Sequence, residues 1–241
     1  MTTSISVELV PRSRESVLAD AALVATYQEV THINIPDIAR FSLRSVDAIR
    51  LIREQFGERF VYVPHVRAIA GVALGTDFPG DIALIVQGDM PVQFDPSKIS
   101  YAADHIALVS DRIRVMAGVD PYRSSPKHEL ALVEAKIAAG ARGFFTQPFF
   151  SLPQLRYWDT ILPNSVEIFY GVSPVTTEAS LAYWRDKNHV VFPRNFSWAV
   201  SRQVSFAQSV IRFARAHGRS VYLMPIRIPL ALYLSKVFAN K

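Results

Sequence analysis

Runs of hydrocarbon side chains in this chain end, again and again, in a residue able to do chemistry. Glu8 stands inside "SVELVP", Asn34 follows "VTHI" and His65 follows "FVYVP". Gln87 and Asp89 follow "IALIV", Asp120 follows "VMAGV" and Gln147 follows "GFFT". Singly, each has an ordinary reading. A carboxylate at a strand end is more often a cap, and a lone histidine is more often a satisfied interior one. As a set they say more, because apolar strands have no packing reason to end so regularly in hydrogen-bonding side chains. Glu8 is the least ordinary member. Strand alternation points it opposite to Val7 and Leu9, and a carboxylate among apolar neighbours has its pKa raised by desolvation. That suits a general acid near neutral pH. An outward-facing or salt-bridged glutamate on the first strand fits the same spacing equally well.

The elements that must position these residues alternate. Strands are expected at 5–10, 30–33, 60–64, 82–86, 112–117, 143–146, 166–170 and 220–224, with amphipathic helical stretches at 44–56, 127–140 and 204–218. In the second stretch Leu130, Val133, Ile137 and Ala141 recur at helical spacing, and Gly140 suits a C-cap. Eight strands alternating with helices predict a single α/β domain over 1–241, a closed (β/α)8 TIM barrel. An open doubly wound sheet is the alternative, but no G-x-G-x-x-G follows the first strand. In a barrel the polar strand ends would share one face, the face where barrel enzymes carry their chemistry.

Composition bounds the function. Half of the 241 residues are hydrophobic and 20% are charged, so a large core is available. No cysteine is present, which removes disulfides, thiolate metal sites and thiol nucleophiles and agrees with a reducing cytoplasm. The start lacks a signal-peptide pattern, and the late apolar stretch is broken by Pro225, Arg227 and Pro229, so no membrane span is expected. The net charge of +5 is spread along the chain and could help attract a small anion. No basic cluster with interleaved aromatics points to nucleic acid. No close His/Asp/Glu spacing points to a metal, and no Gly-rich loop to a phosphate.

Several stretches resemble, in order, the motifs of the methylenetetrahydrofolate reductase family. "SVELVP" is similar to that family's "FEFFPP", "VPHV" to its "PHLTC", and "IALIVQGDMP" to its "ALRGDPP". "SYAAD" is similar to its "YASD", and "KIAAGARGFFTQPFF" to its "AGA…TQxFF" segment. "YGVSPV" resembles its "PGIMPI" and "VYLMPIR" its "FYTLNR". The resemblance implies a (β/α)8 barrel that reduces 5,10-methylenetetrahydrofolate to 5-methyltetrahydrofolate. It implies that Glu8 is the acid that protonates the folate N10, and that Asp89 binds the pterin and stabilises the 5-iminium cation. Gln147, Phe149 and Arg227 become substrate contacts.

Positions that match the family's cofactor contacts are Asn34, His65, Gln87, Gly88, Tyr101, Ala103, Asp104 and Lys136. Family members hold FAD, but several flavin-side residue types are replaced here. Gln87 stands for an arginine, Ala117 and Gly118 for a tyrosine region, Asn34 for a threonine and Leu132 for an asparagine. The chain is also shorter than the family domain, mainly around 186–203. The expectation is therefore NADH or NADPH as hydride donor, with direct transfer to the folate and without tightly bound FAD. Retained FAD, a non-catalytic folate-binding barrel, and a barrel lyase or hydrolase are the competing readings. The donor preference and the oligomeric state stay open.

Overall fold

A lone apolar strand buries backbone donors and acceptors that it cannot satisfy, so such strands must pair. The structure, a computed structural model, describes residues 3–70, 74, 77–88 and 101–239. In it the apolar runs become β1 (Ile5–Glu8), β2 (Val30–Ile35), β3 (Val61–Arg67) and β4 (Ala83–Val86), then β5 (Val115–Val119), β6 (Gly143–Phe149), β7 (Glu167–Val172) and β8 (Ser220–Leu223). They pair in parallel, in sequence order, and β8 returns to β1 to close a barrel. Around it stand α1 (Arg14–Ala25), α2 (Ser45–Phe56), α3 (Ala102–Val109), α4 (Pro126–Ala138), α5 (Leu152–Ile161), α6 (Glu178–Ala182), α7 (Val200–Ala216) and α8 (Leu230–Val237). This is the expected (β/α)8 barrel. Between β3 and β4 the described residues hold only a single 3-10 turn, Ala68–Ala70.

Local chemistry sets the helix ends. Ser13 accepts the Ser16 N–H to start α1, and Ser125 accepts the His128 N–H to start α4, with Pro126 in the first turn. Past α4, Gly140 takes φ +111°, and an added Cβ would lie 2.4 Å from the Ser110 hydroxyl oxygen.

Three strands differ from expectation by three residues at one end, and the others by no more than two. β3 runs on through Pro64 to Arg67, and β6 through Pro148 to Phe149. In β6 the register slips between Phe145 and Pro148, so three steps of β6 face two of β7. The Thr146 hydroxyl accepts the Gly171 N–H at this bulge, replacing a ladder bond that the slipped backbone does not make. β5 begins three residues later than expected, because the Arg112 and Ile113 N–H groups bond back to Val109 at the end of α3.

The barrel wall has two apolar faces. Val7, Ile33, Ala117, Phe144, Tyr170 and Leu223 belong to the layer between strands and helices. Val63, Leu84, Met116, Phe145, Phe169 and Tyr222 fill the interior. Phe145 stacks on Phe169 at 4.3 Å and meets Tyr222 edge-on at 5.2 Å. Each such ring contributes about 1.5–3 kcal/mol of burial, and the paired geometry adds roughly 1 kcal/mol. These apolar side chains come from β3 to β8, and the same interior also receives polar groups.

Candidate active site

The polar side belongs to β1, β2, β3 and β8. Glu8 shares the interior face with Ser6, since Val7 and Leu9 lie in the outer layer. The inward reading of Glu8 therefore holds, and the outward or salt-bridged one does not. Glu8 as a whole is only 9% exposed, and its carboxylate accepts a hydrogen bond from the Tyr222 hydroxyl. Burial drives the Glu8 pKa up to about 7, and the Tyr222 bond offsets part of that rise. Tyr222 is itself pushed well above the usual phenol value, by burial and then by the Glu8 charge. It stays protonated and donates permanently. Near neutral pH Glu8 is thus divided between acid and base forms, as a general acid must be.

Beside this pair runs a chain of three polar groups. Asn34, fully buried, donates from Nδ2 to the Ser6 hydroxyl at 2.5 Å, and its Oδ1 lies 3.0 Å from His65 Nε2. With the amide so oriented, His65 carries its proton on Nε2 and leaves Nδ1 as a lone-pair acceptor. Burial holds the imidazole neutral, with a pKa near 3, against the opposing pull of Asp37. The Ser45 hydroxyl at the start of α2 donates to the His65 carbonyl and fixes that strand end. Deeper in, His32 lies edge-on to Phe169 and is also held neutral by burial, with a pKa of about 4.

The β4–β5 side carries apolar Leu84 and Met116 and, toward the C-terminal ends of its strands, a glycine. Gly118, the register partner of interior Phe145, presents no side chain, and an added Cβ would meet only Val86, at 3.6 Å. Gly88 has φ +81°, and an added Cβ would come within 2.9 Å of Ile69. Asp89 lies outside the described residues.

Other expected site residues have structural work. Gln87 follows interior-packing Val86, and its Oε1 accepts the Ala102 N–H at the start of α3. Tyr101 is 60% exposed, and its N–H is capped by the exposed Asp104 carboxylate. Ala103 is half-buried on the same first turn. Lys136, on α4, donates to the Gly118 carbonyl at 2.7 Å and lies 3.9 Å from Glu129, against the outside of β5. Burial lowers its pKa while Glu129 and Asp120 oppose that shift. Asp120 accepts the Tyr122 N–H and pairs with Arg123.

Among the expected substrate contacts, Gln147 sits half-buried in the β6 bulge, and its amide has no hydrogen-bond partner among the described residues. Phe149 is fully buried in the outer layer, packed against Tyr170, and not at the mouth. Its neighbour Phe150 instead joins Val175, Trp184 and Val190 in a separate cluster that also receives Ile226, the residue before Arg227. Arg227 is exposed, at φ +59°, with its guanidinium 5.6 Å from the Tyr183 ring centre.

Sequence reasoning missed Tyr222, Ser6 and Arg67. Tyr222 and Ser6 were recoverable from period two, since both share parity with interior neighbours on apolar strands. Among the described residues no group of three or more acidic or histidine side chains could hold a metal ion, and no helix is long and apolar enough to cross a membrane.

No protein-family model and no curated protein matches the chain. Solved structures do. One described as native KDPGal aligns with TM-score 0.50 and 16% identity, covering 89% of this chain and 95% of its own. A truncated 3-deoxy-D-arabino-heptulosonate 7-phosphate synthase from Thermotoga maritima aligns with TM-score 0.53 and 12% identity, over 98% and 83%. At such identities the likeness is one of fold, and it places this chain among the closed (β/α)8 barrels.

Proposed function

We propose that the chain is an enzyme that reduces 5,10-methylenetetrahydrofolate to 5-methyltetrahydrofolate, with NADH or NADPH delivering hydride directly to the folate. The observation that carries this reading is Glu8, a buried interior carboxylate with a pKa of about 7 and a permanent donor on one oxygen. It joins the ordered motif resemblance, which assigns that residue the acid role.

In this reading the Glu8 proton passes to the folate N10. The C–N10 bond breaks, its electron pair stays on N10, and the methylene carbon becomes a 5-iminium cation. Hydride from the nicotinamide reduces that carbon to the methyl group and leaves NAD(P)⁺. One proton and one hydride are consumed, and Glu8 regains its proton from solvent. Asp89 is assigned by the resemblance alone and would face the cation. Gln147, whose amide has no hydrogen-bond partner among the described residues, suits the paired N–H and C=O edge of a pterin. The absent side chain at Gly118 leaves room for a planar ring against β5.

One observation favours a second reading, reduction through bound FAD. The cation that position 87 lacks is supplied by Arg67 on the adjacent strand, beside Gly88. Protein purified without added flavin separates the two. The first reading predicts a colourless protein that oxidises NAD(P)H in the presence of methylenetetrahydrofolate, with intersecting initial-rate lines. A bound yellow flavin and parallel lines would establish the second, and no oxidation under either condition would remove both.

A further inference from the structure

Arg67 ends β3 on the interior face, since its register partner Val86 packs against the interior cluster. Two residues beyond His65, it stands roughly 7 Å nearer the open end of the barrel. Its stem runs beside Gly88, where an added Cβ would lie 3.4 Å from the Arg67 Cβ and 3.5 Å from its Cδ. The guanidinium is held through Nε by Asp37 Oδ2 at 2.9 Å, and Arg44, just before α2, reaches the same oxygen at 2.5 Å.

Two guanidiniums on one carboxylate oxygen leave a charge of +1 without an acidic partner among the described residues. The Asp37 side chain is 7% exposed, whereas Arg67 and Arg44 keep 25% and 36% of theirs. Neither guanidinium makes another hydrogen bond among the described residues. A surface pair would spend one carboxylate on one cation. Here a buried carboxylate orients two planar forks whose remaining donors have no partner among the described residues, the arrangement that suits bidentate binding of phosphate oxygens.

We propose that Arg67 and Arg44 bind the pyrophosphate of a dinucleotide laid across the ends of β3 and β4, its reactive ring reaching toward bare Gly118. The proposal rests on the reductase reading for the identity of the dinucleotide; NAD(P)H and FAD both carry this group.

The test is calorimetric titration of the full chain with inorganic pyrophosphate, then with NADH, NADPH and FAD, in wild type, Arg67→Gln and Arg67→Lys. Pyrophosphate affinity should fall at least about tenfold in Arg67→Gln and less in Arg67→Lys, and should weaken with added salt. Arg67→Lys keeps the charge against Asp37 and carries the test if the glutamine variant fails to fold. A tenfold loss confined to NADH or NADPH names the nicotinamide dinucleotide as occupant, and a loss confined to FAD names the flavin. Equal pyrophosphate affinity in wild type and variants, or none in wild type, overturns the site. No folate or turnover enters this titration. A missing site therefore leaves the reductase reading standing, and an inactive protein that still binds pyrophosphate through Arg67 removes only that reading.

Discussion

The two sides of the barrel interior are built on opposite plans. On β1, β2, β3 and β8, Glu8, Ser6, Asn34, His65 and Tyr222 are buried or half-buried and hydrogen-bonded, so protons are held at defined atoms. On β4 and β5 the interior side chains are apolar Leu84 and Met116, β5 then presents Gly118, and the nearby polar side chains Gln87 and Lys136 are turned to helix and wall. In the proposed reaction the first side would handle the proton, and Gly118 on the second would leave space. A reaction that adds a proton and a hydride to the same substrate needs both. Of the flavin-side positions whose residue types are replaced, Gln87, Ala117 and Gly118 lie on or just past β4 and β5, whereas Asn34 belongs to the polar side and Leu132 to α4.

The largest expected effect comes from disabling the polar side at its acid. Glu8→Gln should lower turnover about a hundredfold or more, the usual scale for a lost general acid. Its stability should move the other way. Because the folded Glu8 pKa is raised from 4.5 to about 7, wild type gains from the protonated form at low pH and loses that gain as pH rises through about 7. Glutamine cannot ionise, so the variant should gain on wild type by an amount on the order of 3 kcal/mol between pH 4 and pH 8. Urea midpoints at the two pH values read this directly. Equal shifts at both would mean that Glu8 is not desolvated.

Filling the space at Gly118 should have the next largest effect. Gly118→Phe adds a ring at a position where the Cβ itself meets only Val86, at 3.6 Å, and a urea midpoint near that of wild type checks that the fold accepts it. KM for NAD(P)H should rise roughly tenfold or more, with the Glu8-dependent pH profile unchanged. An unaltered KM would place the nicotinamide elsewhere.

Tyr222→Phe should do least to turnover, a fall of a few-fold at neutral pH. The hydroxyl stabilises the ionised form of Glu8, so removing it should raise that pKa further. The loss of activity on the alkaline side should then move upward by about one pH unit. A downward shift would contradict the role of Tyr222 as donor.

The barrel was legible in the sequence because period two in the strands, alternating with helical spacing, leaves few alternatives. The inward aim of Glu8 followed from the same parity. What escaped notice has physical causes. A strand expected to stop at Pro64 left Arg67 in a loop, whereas β3 continues and sets it on the interior face. Phe149 shares odd parity with interior Phe145, but the slip in β6 re-aims it into the outer layer. Tyr222, inside "SVYLMP", looks like ordinary core, and only the closure of β8 on β1 brings its hydroxyl to Glu8. Residues matched through the resemblance carried no parity argument, so Gln87 and Lys136 could be named without knowing that helix and wall hold them.

In the proposed reaction, proton and hydride reach the folate on a single protein surface with no carrier between donor and acceptor. Its most direct measurement is turnover of nicotinamide carrying deuterium at the transferable C4 position, with methylenetetrahydrofolate and protein free of added flavin. Direct transfer predicts one deuterium in each product methyl group and no loss of label to water. Label washed out into solvent, as exchange at a reduced flavin nitrogen would cause, would contradict it.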